Sequence, residues 1–336
     1  MTEMKGVSAV NVRKYAKDIA LTAVVLFLIL ILLYSVLQIL ESTVLSPGEG
    51  APAATVSKTI TRDGVEYFPR QDITVVMVMG IDEHGPVQAS GSYDNSGAAD
   101  VVLLLVFDET NENCRIVYLN RDTMLEMSVL GIGGRKAGTH YGQLALAHTY
   151  GTGLEDSCEN TREAVSNLLY GIDIDYYVSM NMDAVAILND AVGGVTVNVT
   201  DDFSAVDPTI GMGQVTLVGQ QAIHFVRTRK DVGDQLNLSR IERQKEYIDG
   251  FAESMKSRLD SQGDFVVSAY EAVEPYLVTD CSATTISGMM ERYGDYEVAE
   301  VVSPEGTNVM GEEHFEFYPD GEKLDELILR LFYAPK

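Results

Sequence analysis

The chain has 336 residues, with 24 Lys+Arg against 50 Asp+Glu and a formal net charge of -26. Hydrophobic residues make up 46%, enough for a sizeable core, while the acidity excludes a general nucleic-acid-binding or polyanion-binding surface. An anionic ligand must therefore be held in a local cationic pocket, helped by a metal.

Ile19 to Leu40 reads IALTAVVLFLILILLYSVLQIL, without a charge. It is long enough to cross a bilayer as a helix. Lys5, Arg13, Lys14 and Lys17 precede it and Glu41 follows. The positive-inside rule then puts residues 1–18 in the cytoplasm and everything beyond residue 40 outside. A cleaved signal peptide has a shorter apolar region and a small-residue cleavage site, so the segment reads as an uncleaved single-pass anchor. Residues 41–71, rich in Pro, Gly, Ser and Ala (SPGEGAPAATVS), read as an extracytoplasmic linker. Residues 72–336 show no second linker and read as one domain.

Ile73–Ile81 (ITVVMVMGI) and Val101–Phe107 (VVLLLVF) are almost continuous apolar runs, as in strands covered on both faces. A polar turn at 109–113 leads to Arg115–Leu119, which predicts a hairpin. Asp156 and Glu159 resemble a capping box for a helix with apolar positions Ala164, Val165, Leu168 and Leu169. Strands follow at Asp175–Met180 and Val195–Val199, around a helix at Asp183–Val192 closed by Gly193-Gly194. Ser239 caps a long helix that buries Ile241, Ile248, Phe251, Met255 and Leu259, with Arg240, Gln244 and Tyr247 on another face. Helices at 266–276 and 284–293, a strand at Glu297–Val302 and a helix at Glu322–Phe332 complete the pattern. Strands separated by helices predict an α/β fold, a three-layer α-β-α sandwich with a mixed central sheet, preceded by one transmembrane helix. Of three cysteines, Cys114 falls in a strand, and Cys158 with Cys281 is the more plausible disulfide pair. No Cys/His spacing matches a zinc site.

Three constellations carry chemistry. Asp82 follows the first core strand and Asp100 opens the second. A hard divalent cation such as Mg²⁺ takes one or two carboxylates plus phosphate oxygens and water, but each Asp alone also reads as a turn or strand-end residue. Arg121 and Asp122 follow the third strand. Arg121 can fork onto a phosphate or pair with Asp122. The stretch HFVRTRKDVGDQLNLSRIERQ, from His224 to Gln244, gathers scarce cations in an acidic chain. If its start is extended, Arg227 and Arg229 point to one side, and Arg240 and Gln244 join them from the following helix.

Together, GID at 80–82, ADVVLLLV at 99–106, LNRDT at 119–123, AHTYG at 147–151, IDYYVSMNMDAVAILNDAVGGVTVNV at 174–199, FVRTRK and RIERQ resemble the LytR–CpsA–Psr family in content and order. The resemblance implies an extracytoplasmic phosphotransferase of the bacterial cell membrane. It moves a glycopolymer, of teichoic acid or polysaccharide type, from an undecaprenyl-pyrophosphate carrier to peptidoglycan. It implies Asp82 and Asp100 as Mg²⁺ ligands, and Arg121, Arg227, Arg229, Arg240 and Gln244 around the pyrophosphate, with Arg243 sharing that role. Ala99 stands where the family usually has Arg, and Asn120 where it commonly has Pro. Asp122 and Asp234 are the candidates to take the acceptor's proton, and Asp231 and Asp234 are each open to either role, assisting the metal or acting as a base. Such transfer needs positioning and charge neutralisation more than covalent chemistry. Two other readings compete: a non-catalytic polyprenyl-phosphate binder or regulator, and a pyrophosphatase using water in place of sugar. The paired aspartates with Arg121 favour the enzyme over the binder.

Overall fold

The computed structural model describes residues 59–228 and Val232, and from residue 243 on all but 244, 245, 248, 252, 256, 259, 260, 262–264, 282–284, 286, 287, 290, 291, 294, 295 and 313. The expected membrane anchor lies outside these residues. Among the described residues no helix is long and apolar enough to cross a membrane.

A six-stranded mixed sheet forms the centre. β3 (Ile73–Ile81), β4 (Ala99–Asp108) and β5 (Asn113–Leu119) run antiparallel in succession. β8 (Tyr176–Asn181) adds parallel to β3, and β12 (Glu297–Val302) adds parallel to β5. β11 (Leu277–Thr279) closes the β8 edge antiparallel. The apolar runs are continuous because both faces are covered, and alternation divides them. Val76 and Val78 of β3 with Leu103, Leu105 and Phe107 of β4 face one core. Val75, Met77 and Met79 with Val102, Leu104 and Val106 face the other.

Helices build both flanking layers. The second core receives α1 (Glu155–Leu168) and α5 (Gly321–Phe332), through residues such as Val165, Ile328 and Leu331. The first receives α2 (Asp183–Ala191), α3 (Gln220–Arg227), α4 (Phe265–Val273) and the helical residues Tyr247, Phe251 and Met255. A ribbon of β9 (Val195–Val199) with β10 (Gly213–Leu217) lies on this side. Phe251 and Met255 are buried as the helical spacing requires, but so is Tyr247, whose hydroxyl donates to Asn189 Oδ1 at 3.2 Å. It therefore belongs to the core and not to a ligand face with Arg240 and Gln244.

Several local expectations are corrected. Residues 60–69, read as linker, form the hairpin β1 (Ile60–Arg62) and β2 (Val65–Pro69), and β2 also pairs with β15 (Tyr333–Pro335). Its turn is Asp63-Gly64, both at positive φ, a strong hairpin dipeptide between alternating residues. The capping box of α1 does not form. Asp156 reaches back to the Thr152 amide (3.0 Å) and hydroxyl, and Glu159 pairs with Arg162. Gly193 and Gly194 close α2 as expected, at φ 88 and 90. Cys114, Cys158 and Cys281 are all free and buried. Cys158 packs in one core and Cys281 in the other, so the sheet separates the pair that sequence favoured.

At the far end of β4, Asp108 is fully buried and accepts from Arg70 Nη1 (2.8 Å), Arg115 Nη1 (2.7 Å) and Asn111 Nδ2 (2.9 Å). Arg70 also grips Asp72 through Nε at 2.9 Å. Burial would push the Asp108 carboxyl up, but these hydrogen bonds outweigh it and hold it well below the usual range.

Candidate functional site

The site grows from strand order. β3 pairs antiparallel with β4 in a register that sets Ile81 opposite Ala99, with an irregularity after Gly80. The end of β3 and the start of β4 therefore share one end of the sheet. β5 pairs with β4 so that Leu119 lies opposite Val102, and its exit loop emerges at that same end. Asp82, Asp100 and Arg121 are brought together by this meander alone.

The fourth member arrives from the flanking layer. Arg227 is the last residue of α3 and its Nη2 donates to Asp82 Oδ1 at 2.6 Å. Arg121 Nη1 donates to Asp100 Oδ1, and Arg121 Nε faces Asp122 Oδ1 at 3.5 Å. The side chains of Arg121 and Arg227 are 43% and 45% exposed, so both guanidiniums remain open to a ligand. Burial pushes the Asp100 carboxyl up, and the Asp82 charge adds to this. Arg121 and Arg227 oppose it. Two carboxylates that feel each other and two forked cations thus share one field.

The loop between Asp82 and Asp100 is clamped by residues to which sequence assigned no role. Asn95 Nδ2 donates to the carbonyls of His148 and Gly151, each at 2.9 Å, and the Asn95 amide donates to Thr149 O at 2.9 Å. His148 is buried and its Nδ1 donates to Gly97 O at 2.7 Å, while burial lowers its pKa and keeps it neutral. The AHTYG motif thus acts as a buckle that returns the chain to Asp100. Its conjunction of a buried-type segment with a lone His was the available signal.

Other calls fall differently. Phe225 to Arg227 is helical, so the same-side argument for an extended Arg227 and Arg229 does not hold. Arg243, expected near the pyrophosphate, is 4% exposed and fully engaged by protein. Its Nε donates to Phe225 O at 3.0 Å, Nη1 to Asp201 at 2.5 Å and Nη2 to Thr228 O, with the guanidinium 5.3 Å from the Phe203 ring centre. It staples the end of α3 and so holds Arg227 in place. His224 pairs with Asp207 at 2.9 Å. Asp122 Oδ1 accepts from Gln143 Nε2 at 2.8 Å. Arg229, Lys230, Asp231, Asp234, Arg240 and Gln244 lie outside the described residues.

Among the described residues no three His, Cys, Asp or Glu side chains stand together as a metal centre. The pair Asp82 and Asp100 nevertheless suits a hard divalent ion that takes its remaining ligands from phosphate and water. A cation would also favour the charged form of Asp100, which burial and, to a lesser degree, the Asp82 charge oppose.

The polyisoprenyl-teichoic acid–peptidoglycan teichoic acid transferase TagU of Bacillus licheniformis is 27% identical over 232 residues, which are 65% of this chain and 68% of that protein. TagU of Bacillus subtilis is 27% identical over 196 residues, 58% of this chain and just 56% of the relative. The crystal structure of protein gbs0355 from Streptococcus agalactiae superposes with a TM-score of 0.59 at 22% identity, covering 77% of this chain and 86% of that one, and so shares the fold. A model of the LytR_cpsA_psr family matches residues 48–329, and the chain belongs to that family.

Proposed function

We propose that this chain is a cell-wall glycopolymer transferase. It takes a teichoic-acid-type or polysaccharide-type polymer from an undecaprenyl-pyrophosphate carrier and attaches it to peptidoglycan. The observation that carries this reading is the meeting of Asp82, Asp100, Arg121 and Arg227 at one end of the central sheet. The TagU relatives bear the name of such a transferase.

Asp82 and Asp100 hold Mg²⁺ in this proposal, and the ion supplies charge neutralisation of the pyrophosphate. Arg121 and Arg227 turn from their carboxylates to the non-bridging phosphate oxygens, which their planar forks fit. Arg229, Arg240 and Gln244 extend the same cradle. An acceptor hydroxyl attacks the phosphorus that bears the glycopolymer. The new P–O bond makes a phosphodiester, the bond to the polyprenyl phosphate breaks, and the hydroxyl proton passes to Asp122 or Asp234. Residues 19–40 anchor the chain in the bacterial cell membrane, with the amino terminus cytoplasmic, beside the lipid carrier.

The test incubates the full chain in detergent with lipid-pyrophosphate-linked oligosaccharide, Mg²⁺ and a peptidoglycan acceptor. Mass spectrometry then reads the product. A phosphodiester-linked product that disappears in Asp100→Ala and Arg227→Ala supports the reading. Tight lipid binding with no product points to a binder, and release of polyprenyl phosphate without acceptor points to hydrolysis.

A further inference from the structure

Asp82 leaves β3 between two neighbouring strands. On one side its amide donates to Ala98 O at 3.0 Å, just before β4. On the other stands β8, which pairs parallel to β3 in a register that sets Asn181 beside Ile81. The two strand exits therefore run on side by side. The Met182 amide donates to Glu83 O at 3.1 Å, and Asn181 Nδ2 donates to Gly85 O.

An Asp or Asn at a helix start ordinarily caps the free amides of its own helix. At α2 this falls to Asn181, whose Oδ1 accepts from the amides of Asp183 at 3.1 Å and Ala184 at 3.3 Å. The Asp183 carboxylate is thereby released to the segment that follows Asp82. Its Oδ2 accepts from the Gly85 amide at 2.7 Å, and its Oδ1 stands 3.0 Å from His84 Nδ1. Gly85 presents that amide at φ 81, a left-handed conformation that glycine adopts without strain. Gln220 Nε2, at the head of the helix that delivers Arg227, approaches the same Oδ1 at 3.5 Å. Burial would push the Asp183 carboxyl up, but the Gly85 amide and His84 outweigh it and hold it below the ordinary range.

Both Asp183 oxygens are thus engaged by protein donors, the arrangement of a support and not of a ligand. The geometry points to Asp183 as the positioning residue for Asp82: by clamping His84 and Gly85 to the start of α2, it fixes the direction in which Asp82 leaves the sheet. Carboxylates that hold a metal are themselves oriented by such outer hydrogen bonds, and losing one weakens metal binding without removing a ligand. The inference rests on the metal role proposed for Asp82 and adds to it the residue that keeps that carboxylate in place.

The full chain in detergent is titrated with Mn²⁺, read by electron paramagnetic resonance without turnover. Asp183→Asn keeps an acceptor oxygen in the same place and loses the charge. Asp183→Glu keeps the charge and displaces the carboxylate by one methylene. Positioning predicts Mn²⁺ affinity near wild type in Asp183→Asn and about tenfold weaker in Asp183→Glu and Asp183→Ala. Asp175 supplies the control, since its Oδ2 accepts the Val75 amide at 2.7 Å at the opposite end of β3. Asp175→Ala loses the same kind of bond and should keep the affinity. Should Asp183→Ala fail to fold, the comparison of Asn with Glu still decides. The reverse order, Asp183→Asn weaker than Asp183→Glu, makes the effect one of charge and overturns the inference. Weakening in Asp175→Ala as large as in Asp183→Ala makes it a general loosening of β3 and overturns it too. Wild-type affinity in every Asp183 variant, with affinity lost in Asp82→Asn, overturns the positioning role and leaves the metal site intact. Wild-type affinity in Asp82→Asn overturns the metal reading of Asp82, and the inference with it.

Discussion

Arg227 Nη2 holds Asp82 Oδ1 at 2.6 Å across 145 residues of chain. The contact joins the carboxyl end of a flanking helix to the exit of a central strand, and it exists because the sheet end and the helix end coincide. Both side chains are more than a third exposed, so the pair contributes little to stability, about 0–1 kcal/mol. Arg227→Ala should therefore leave the melting temperature nearly unchanged while lowering transfer about 10²–10³-fold, the weight of one aligned donor at a charge-developing centre. Single-turnover assays beside calorimetry check this. A large fall in melting temperature would reassign Arg227 to the scaffold.

The carboxylate pair makes a metal prediction. Asp82→Asn and Asp100→Asn should each weaken binding of Mn²⁺ used as a paramagnetic Mg²⁺ substitute, read by electron paramagnetic resonance without any turnover. Chelation of the metal should abolish transfer and leave the folded state intact, because the core is built without it. Mn²⁺ affinity unchanged in both variants would remove these aspartates from the metal site.

Arg243 should behave in the opposite way to Arg227. Its three nitrogens bind Asp201 and two carbonyls in a buried position. Arg243→Ala should destabilise the fold by about 3–5 kcal/mol, because Asp201 loses its partner and two carbonyls lose their donors. Arg243→Lys should recover only part of this, since an ammonium cannot reach three directions at once. Urea denaturation measures both. Full stability with lost transfer would instead make Arg243 a ligand contact.

Asp108 governs acid sensitivity. Its folded carboxyl is held well below the unfolded value of about 3.9, and Asp72 is lowered to about 2 by its hydrogen bond from Arg70. The folded state therefore binds these protons less readily than the unfolded state. Their stabilisation is complete above about pH 4–5 and is lost as pH falls towards the folded values. Asp108→Asn, which takes the carboxylate from Arg115 and leaves Arg70 with Asp72 alone, should cost about 3–5 kcal/mol at neutral pH and flatten the acid dependence. Denaturation series between pH 3 and pH 7 check both effects.

The cysteines give a chemical test of the two-core arrangement. Burial pushes the Cys114 and Cys281 thiols up to about 12 and the Cys158 thiol further. A thiol reagent at neutral pH should label none of the three in the folded chain and all three after denaturation. A mass two protons lighter without reductant would reveal a disulfide and contradict the placement of Cys158 and Cys281 in separate cores.

Much of the central sheet was legible because its strands have both faces covered, which writes long apolar runs. Ile73–Ile81 matches its strand end to end, and so does Glu297–Val302, although that edge strand is half exposed and carries no such run. The Asp63-Gly64 hairpin was missed because its strands are short and stand beside a linker-like composition. The hairpins β6 (Met124–Gly131)–β7 (Arg135–Gln143) and β13 (Gly306–Met310)–β14 (Phe315–Pro319), beside the Arg121 loop, were missed for another reason. β7 is exposed along most of its length and β13 throughout, so neither carries a hydrophobic alternation. In the site, Asp82, Asp100 and Arg121 were legible as strand-end residues. The helical state of Phe225 to Arg227 was not, since a short segment with paired arginines fits either backbone.

By itself the sequence determined the apolar strands, the α/β layering, the acidity that confines anion binding to one place, and which side chains have the chemistry for it. Only the tertiary structure decided which of them meet. The antiparallel order of β3, β4 and β5 sets Asp82, Asp100 and Arg121 at one sheet end, and α3 delivers Arg227 to them. It also turned Arg243 from a ligand candidate into a buried staple, and parted Cys158 from Cys281 by a sheet. Side-chain type is a local property written residue by residue. Proximity and burial depend on register and layer packing across distant segments, and no local pattern encodes them.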